Sequence, residues 1–287
     1  MRILFPGIIA ALGVVALAQA QVMGSYSASS SSDGNVVHGT VTMSGRSFFG
    51  AAPVTGAPFS AERVSEHVQV AADGTRFTTN NRQEKIYRDS QGRTRTERSV
   101  MMGPNVPAEA PMIVEIQDPM AGYSYTLDVQ NKVAHRTALQ TPQMRQAAAA
   151  PGLAGGGGGN VALARRPANP GTGGPGSRPH PEMSQEQLGT QVMEGVVAEG
   201  HRTVMTWPAG AEGNDRPFQV ISENWFSPDL KETVLTKTSD PRSGENSTKL
   251  INISRDEPPA DLFQPPPDFS VVDETGSFEI HWTATRQ

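Results

Sequence analysis

After its first twenty residues the chain holds no stretch of ten or more residues with the three-and-four spacing of an amphipathic helix. One other pattern recurs in its place. "QLGTQVMEGVV", "HRTVMTW", "PFQVISENWF", "KETVLTKTS" and "TKLINIS" alternate with period two or are β-branched, as pleated strands do. Between them stand "AEG", "PAGAEGND", "SPDL" and "DPRSGEN", rich in residues that turn a chain. Without helical stripes there is no helical layer to cover a sheet, so sheet must bury the apolar residues. "EPPADLF" can make a single helical turn with Pro259 near its start.

The preceding block behaves alike. In "ERVSEHVQV", Val64, Val68 and Val70 share a face with Glu66. "MIVEIQD" and "YSYTLDV" are two strands joined at "PMAG", with Tyr123, Tyr125, Leu127 and Val129 on one side of the second. "QNK" then turns into "VAHRTAL". Before these lies "KIYRDSQGRTRTER", residues 85–98, with five basic residues. Asp89-Ser90-Gln91-Gly92 reads as a type I turn closed by a glycine bulge. That loop sets Asp89 opposite Arg93, and so Arg88 opposite Thr94, Tyr87 opposite Arg95, Ile86 opposite Thr96, Lys85 opposite Glu97 and Glu84 opposite Arg98. Three of these pairs join opposite charges, and Tyr87 can stack on Arg95. A nucleic-acid strip needs unpaired cations on a basic chain. The net charge here is −5, so the hairpin reads as charge-laddered sheet and no nucleic-acid partner is expected.

Two stretches cannot build a core. Residues 21–57 are rich in Ser, Gly, Ala and Thr and read as a flexible low-complexity leader that can lend one strand. Residues 140–184 are dominated by Gly, Pro and Ala and read as a long disordered insertion. Its glycine run lacks the Gly-Lys-Ser/Thr ending of a phosphate loop. At the start, Met1-Arg2, an apolar run from Ile3 to Leu17 and Ala18-Gln19-Ala20 have the form of a signal peptide cleaved after Ala20. The run is short for a membrane span, and no cysteine follows it to take a lipid anchor. The expected location is periplasmic or extracellular, with no stable membrane insertion after cleavage. With no cysteine anywhere, neither disulfides nor thiolate metal sites are available.

Chemistry-bearing motifs are few. His38, His67, His135, His180, His201 and His281 show no zinc spacing. His67, His135 and His201 fall in strands, as surface or rim residues. Glu115 with Asp118 reads as solvated surface. No Gly-x-Ser-x-Gly elbow or calcium loop occurs. Asn246-Ser247-Thr248 and Asn252-Ile253-Ser254 match a glycosylation pattern that is common by chance. The sequence names no catalytic residue, metal ligand or cofactor, and no ligand-binding residue.

Residues 216–272 carry a resemblance. A strand ending in Glu223-Asn224-Trp225, the turn "SPDL", a strand, "DPRSGE", another strand, then "LF" and "PPDFSVV" resemble the C-terminal half of the LolA-like superfamily. That group includes periplasmic lipoprotein carriers and RseB-type envelope-stress sensors. "IQDPMAGYSYTLDVQNKVAHR" is similar to their middle strands. The family's helices form a lid over an apolar cavity, whereas this chain has a long insertion, weak helical content and no lipoprotein cysteine. The resemblance implies an open, concave half-barrel that holds an acyl chain or a peptide. Trp207, Trp225, Phe218, Tyr123 and Tyr125 are the large residues available to line it or to fill the core.

The expected fold is therefore mainly β: a single antiparallel sheet of about ten strands curled into a half-barrel, with few short helices. The expected divisions are a signal peptide at 1–20, the leader at 21–57, the first half of the β domain at 58–139, the insertion at 140–184, the second half at 185–273 and a C-terminal tail at 274–287. The expected function is an exported, non-enzymatic protein that binds or senses a lipid or other apolar ligand, with a lipid or lipoprotein as partner. The alternative is a structural or protein-interaction module of the envelope, and an uncharacterised hydrolase comes third.

Overall fold

The computed structural model describes residues 26–33, 36–43, 47–48, 52–71, 73–99, 112–140 and 180–285. The signal peptide expected at 1–20 and residues 141–179 of the insertion lie outside them. In chain order the strands are β1 (Tyr26–Asp33), β2 (Val36–Met43), β3 (Ser47–Phe48), β4 (Phe59–Val70), β5 (Arg76–Arg88), β6 (Thr94–Ser99), β7 (Met112–Asp118), β8 (Tyr123–Asp128), β9 (Val133–Gln140), β10 (Glu182–Met193), β11 (Val196–Trp207), β12 (Phe218–Ser227), β13 (Glu232–Asp240), β14 (Gly244–Ser254), β15 (Ser270–Glu274) and β16 (Phe278–Thr285). The helical turn expected near Pro259 is the 3-10 turn η1 (Ala260–Phe263). No helix among the described residues is long and apolar enough to cross a membrane.

The large sheet is two meanders sewn together. Strands β4 to β9 form one and β10 to β14 the other, and β14 pairs with β4. The resulting order is β10-β11-β12-β13-β14-β4-β5-β6-β7-β8-β9-β15. All these pairs are antiparallel except that of β15, which lies parallel to β9, as does the short β3. The sheet is open. It has thirteen strands rather than about ten, and a second sheet of three strands, β1-β2-β16, lies beside it. In β2 and β16 alternate residues are buried: Val37, Val41 and Met43 on one, Phe278, Ile280, Trp282 and Ala284 on the other. These pack against Ile113 of β7.

Side chains at the base of the large sheet show that it curls. Arg88, at the end of β5, is separated from β13 by β4 and β14, yet its guanidinium donates to the Leu230 carbonyl and reaches Glu232 at 3.4 Å. Its Nε donates to the Ala57 carbonyl at 3.0 Å, and the group lies 4.7 Å above the Phe59 ring. Flat strands spaced at about 4.8 Å would hold these groups well apart. Inside the curl, Phe59, Ala61, Ile86, Val196, Ala198, Trp225, Leu230, Val234 and Leu250 form one buried cluster.

The hairpin at residues 85–98 has the expected register pair for pair, from Glu84 opposite Arg98 to Arg88 opposite Thr94. Asp89 N–H donates to the Arg93 carbonyl, and Gly92 takes the positive φ, 84°, that the bulge requires. Arg93 bonds Asp89 at 2.5 Å. The other arginines look sideways: Arg95 meets Glu97 on its own strand, and Arg98 meets Glu115 on β7. Glu84 accepts from Arg63 on β4. Strand twist tilts long side chains away from the partner directly opposite, so diagonal and next-strand pairs form.

The same hairpin anchors a strap. After β14, residues 255–269 cross the sheet to reach β15 on its far edge. Glu257 accepts from the backbone and hydroxyl of Ser90, and Arg95 donates to the Leu262 carbonyl. Phe263, 1% exposed, packs with Val114, Ile116, Leu127 and Ala134. A fully buried Phe contributes about 1.5–3 kcal/mol. The arginines of this basic stretch thus hold hairpin, sheet and strap together.

One expected turn is absent. Strand β11 runs straight through "AEG", Ala198–Gly200, and the chain reverses instead at Glu194-Gly195, both at positive φ (49° and 80°). Gly200 serves packing: it lies opposite Trp225, and a Cβ there would stand 2.7 Å from the indole.

Candidate functional site

Six neighbouring strands carry the same short pattern. It reads Gln185-Glu186-Gln187 on β10, His201-Arg202-Thr203 on β11, Ser222-Glu223-Asn224 on β12, Thr236-Lys237-Thr238 on β13, Asn246-Ser247-Thr248 on β14 and Ser65-Glu66-His67 on β4. In five of the six, a charged residue sits between two uncharged polar ones. The register brings them into line. Gln185, Thr203, Ser222, Thr238, Asn246 and His67 are successive cross-strand partners, and so are Gln187, His201, Asn224, Thr236, Thr248 and Ser65. Residues directly opposed in a sheet share a face, and residues two apart on a strand do too. Both rows therefore lie on one face, with no carboxylate, lysine or arginine in either.

The middle residues face the other way. Glu186, Arg202, Glu223 and Lys237 alternate in sign across four strands. Arg202 bonds Glu223 at 2.8 Å and Glu186 at 3.0 Å, and Lys237 bonds Glu245 at 2.9 Å. The Glu223 carboxylate raises the basicity of the Arg202 guanidinium. Within the six tripeptides charge is thus sorted to the reverse of the sheet, and their front is a lattice of hydroxyl, carboxamide and imidazole groups. It is bordered on the same face by Glu199 on β11 and by Arg63, paired with Glu84, on β4. Several are joined to one another: Ser65 to Thr248 at 2.9 Å, His67 to Asn246 at 2.9 Å, Ser222 to Thr238 at 3.4 Å. Gln185, Gln187, His201, Asn224, Thr236 and Asn246 are exposed.

At one end of this face stand two aromatic rings. Trp207 follows Thr203 on the same side of β11 and lies opposite Phe218, the rings nearly parallel with centroids 6.1 Å apart. Arg242 covers the Phe218 ring at 4.9 Å. The five large residues considered as a lining do not gather in one place. Trp225 is buried in the cluster inside the curl. Tyr125 packs beside the Phe263 cluster under the strap. Tyr123 is partly exposed beneath Arg136.

The titratable groups singled out from sequence have structural partners. Glu115 takes Arg98, and Asp118 accepts from the backbone of Met120 and Ala121 in the β7–β8 turn. His135 bonds Glu274 at 2.8 Å and stacks on Phe278 at 4.3 Å, fixing the small sheet and β15 to β9. A shallow cleft of about 790 Å³ lies between the small sheet and the β8–β9 turn, beside His38 and His281. Its polar groups hold that junction: Gln130 and Thr283 exchange two bonds, Asn131 donates to the His281 carbonyl, and Thr40 bonds His281. Among the described residues no group of three or more His, Asp or Glu is placed to hold a metal ion. The neutral face was not anticipated from sequence, although its signal, the repeated tripeptide, is visible there.

No family model matches the chain, and no curated protein does. Solved structures do. An uncharacterised conserved protein from Thermus thermophilus has 10% identity and a TM-score of 0.36, the alignment covering 76% of this chain and 91% of that one. The Pseudomonas aeruginosa MucA/MucB complex matches at 10% identity and TM-score 0.34, over 76% of this chain and 58% of that one. A LolA superfamily protein from Nitrosomonas europaea matches at 10% identity and TM-score 0.25, over 72% and 90%. These neighbours thus include a LolA superfamily protein and MucB, as likenesses of fold alone.

Proposed function

We propose that the chain is an exported, non-enzymatic binding module of the bacterial envelope, and that it engages an extended macromolecule along the neutral face of its large sheet. The observation that carries this reading is the alignment of the six tripeptides, which puts two unbroken rows of uncharged hydrogen-bonding groups on one face. A repeating array suits a repeating or extended partner. A lipid cargo, the reading drawn from the LolA-like resemblance, needs a free apolar concavity. In the curl, Phe59, Trp225, Leu230 and Leu250 are each at most 4% exposed and pack on one another. Beyond them, the Leu250 side of β14 continues into Thr248 and Asn246, which favour a polar partner over an acyl chain.

The test is native mass spectrometry with organic extraction on mature protein recovered from a bacterial periplasm, followed by sedimentation with delipidated envelope material. A bare-chain mass together with co-sedimentation is the expected result. A discrete extractable lipid, or binding of fluorescent fatty acids, would replace this reading with the carrier.

A further inference from the structure

We infer that the neutral face binds an uncharged polysaccharide bearing hydroxyl and acetamido groups, an inference that rests on the module reading above. Four observations converge on this class of ligand.

The first is charge. Nucleic acids and acidic glycans are met by cations on the contact surface. Here the arginine and lysine of the tripeptides are on the reverse, each tied to a carboxylate. The only titratable groups in the two rows are His67 and His201. A neutral polymer is the complement of a neutral face.

The second is hydrogen-bonding type. Hydroxyl and carboxamide side chains both donate and accept, and so do sugar hydroxyls and acetamido groups. Asn224 and Gln185 can each pair with an acetamido group through both side-chain polar atoms, and Asn246, whose oxygen is bonded to His67, can donate its N–H. A polypeptide adding to a sheet would use an edge and its main chain rather than a field of side chains on a face.

The third is spacing. Adjacent strands are about 4.8 Å apart, and the two rows are separated by two residues, about 6.8 Å along the strands. A chain of 1,4-linked pyranose rings laid across the strands advances by close to one strand spacing per ring. It would meet hydroxyls and amides from both rows at each step.

The fourth is the ring at the end of the face. Trp207 lies on the same side as Thr203 and His201, and its partner Phe218 is capped on one side by Arg242. An indole beside a polar lattice offers a platform for the apolar C–H face of a pyranose.

The experiment measures binding of mature protein to chitohexaose and cellohexaose by calorimetry, with depletion on insoluble chitin alongside. The wild type is expected to bind chitohexaose. Trp207→Ala and the double variant Asn224→Ala/Thr236→Val should each weaken binding about tenfold or more, with far-ultraviolet circular dichroism unchanged. Lys237→Ser, on the reverse, should stay within about twofold. If the wild type binds neither oligosaccharide, or if Lys237→Ser weakens binding as much as the face variants, the inference falls. If neither sugar binds but delipidated envelope material still sediments with the protein, the inference falls and the module reading stands. If nothing sediments and a lipid extracts, both fall. A wild-type dimer in sedimentation velocity that the double variant makes monomeric would assign the face to a second copy and overturn the inference.

Discussion

Trp225 lies across from Gly200 on neighbouring strands, its indole occupying the space a side chain at position 200 would need. The small sheet repeats the arrangement, with Trp282 across from Gly39. In each sheet a large ring covers bare backbone. Gly200→Ala should therefore destabilise by about 1–3 kcal/mol through overpacking. Gly195→Ala, earlier on the same hairpin, should cost about 1 kcal/mol for a different reason, its positive φ of 80°. Urea unfolding of the two variants separates them, with tryptophan fluorescence as the probe in a Trp207→Phe/Trp282→Phe background that leaves Trp225 as the emitter. Only Gly200→Ala should shift the native emission.

Arg88 is the hub of the curl. Its guanidinium is buried and holds Ala57, Leu230 and Glu232 around the Phe59 ring. Arg88→Ala should cost about 3–5 kcal/mol, because a charged partner stays behind in a buried setting. Arg88→Lys should recover little of it, since a single ammonium nitrogen lacks the planar fork by which three separate nitrogens reach Ala57, Glu232 and Leu230. Chemical denaturation of both variants checks this.

Two carboxylates give opposite pH dependence. Burial raises the Glu232 pKa above the ordinary value, with Arg88 pulling it back. A raised folded pKa contributes stability that is full below the unfolded value and lost as pH rises through the folded one. Glu232→Gln should thus flatten the decline in stability above about pH 4.5. The hydrogen bond from Arg242 holds Asp240 below its ordinary value. Its contribution is present above the unfolded pKa and lost as pH falls through the folded one, so Asp240→Asn should flatten the acid limb below about pH 4. Unfolding free energies across this pH range read both slopes.

The stack of Phe278 on His135 ties the small sheet to β9. Phe278→Ala should cost about 3–5 kcal/mol locally. Hydrogen exchange should speed up in β1, β2 and β16 and remain near the wild-type rate in β11 to β14.

The strands that could be read from sequence were those whose alternation is apolar, and the hairpin at 85–98 was legible to its register because turn chemistry fixes cross-strand pairing. Strand β1 was not, since "YSASSSSD" offers no apolar period and pairs only because β2 lies beside it. The two Glu-Gly dipeptides at 194–195 and 199–200 look alike locally. Which one turns is decided by Trp225, a residue far along the chain. The neutral face was written in the sequence as Gln-Glu-Gln, His-Arg-Thr, Ser-Glu-Asn, Thr-Lys-Thr, Asn-Ser-Thr and Ser-Glu-His. A search for apolar alternation passes over it, and only the sheet order shows that the six tripeptides are neighbours.

Site-specific photocrosslinking tests the central claim most directly. A photoreactive residue is placed at position 236, on the neutral face, or at position 237, on the reverse, and intact exporting cells are irradiated. The account predicts a discrete adduct with an envelope macromolecule from position 236 and none from position 237. Equal adducts from both positions, or a lipid adduct alone from position 236, would contradict it.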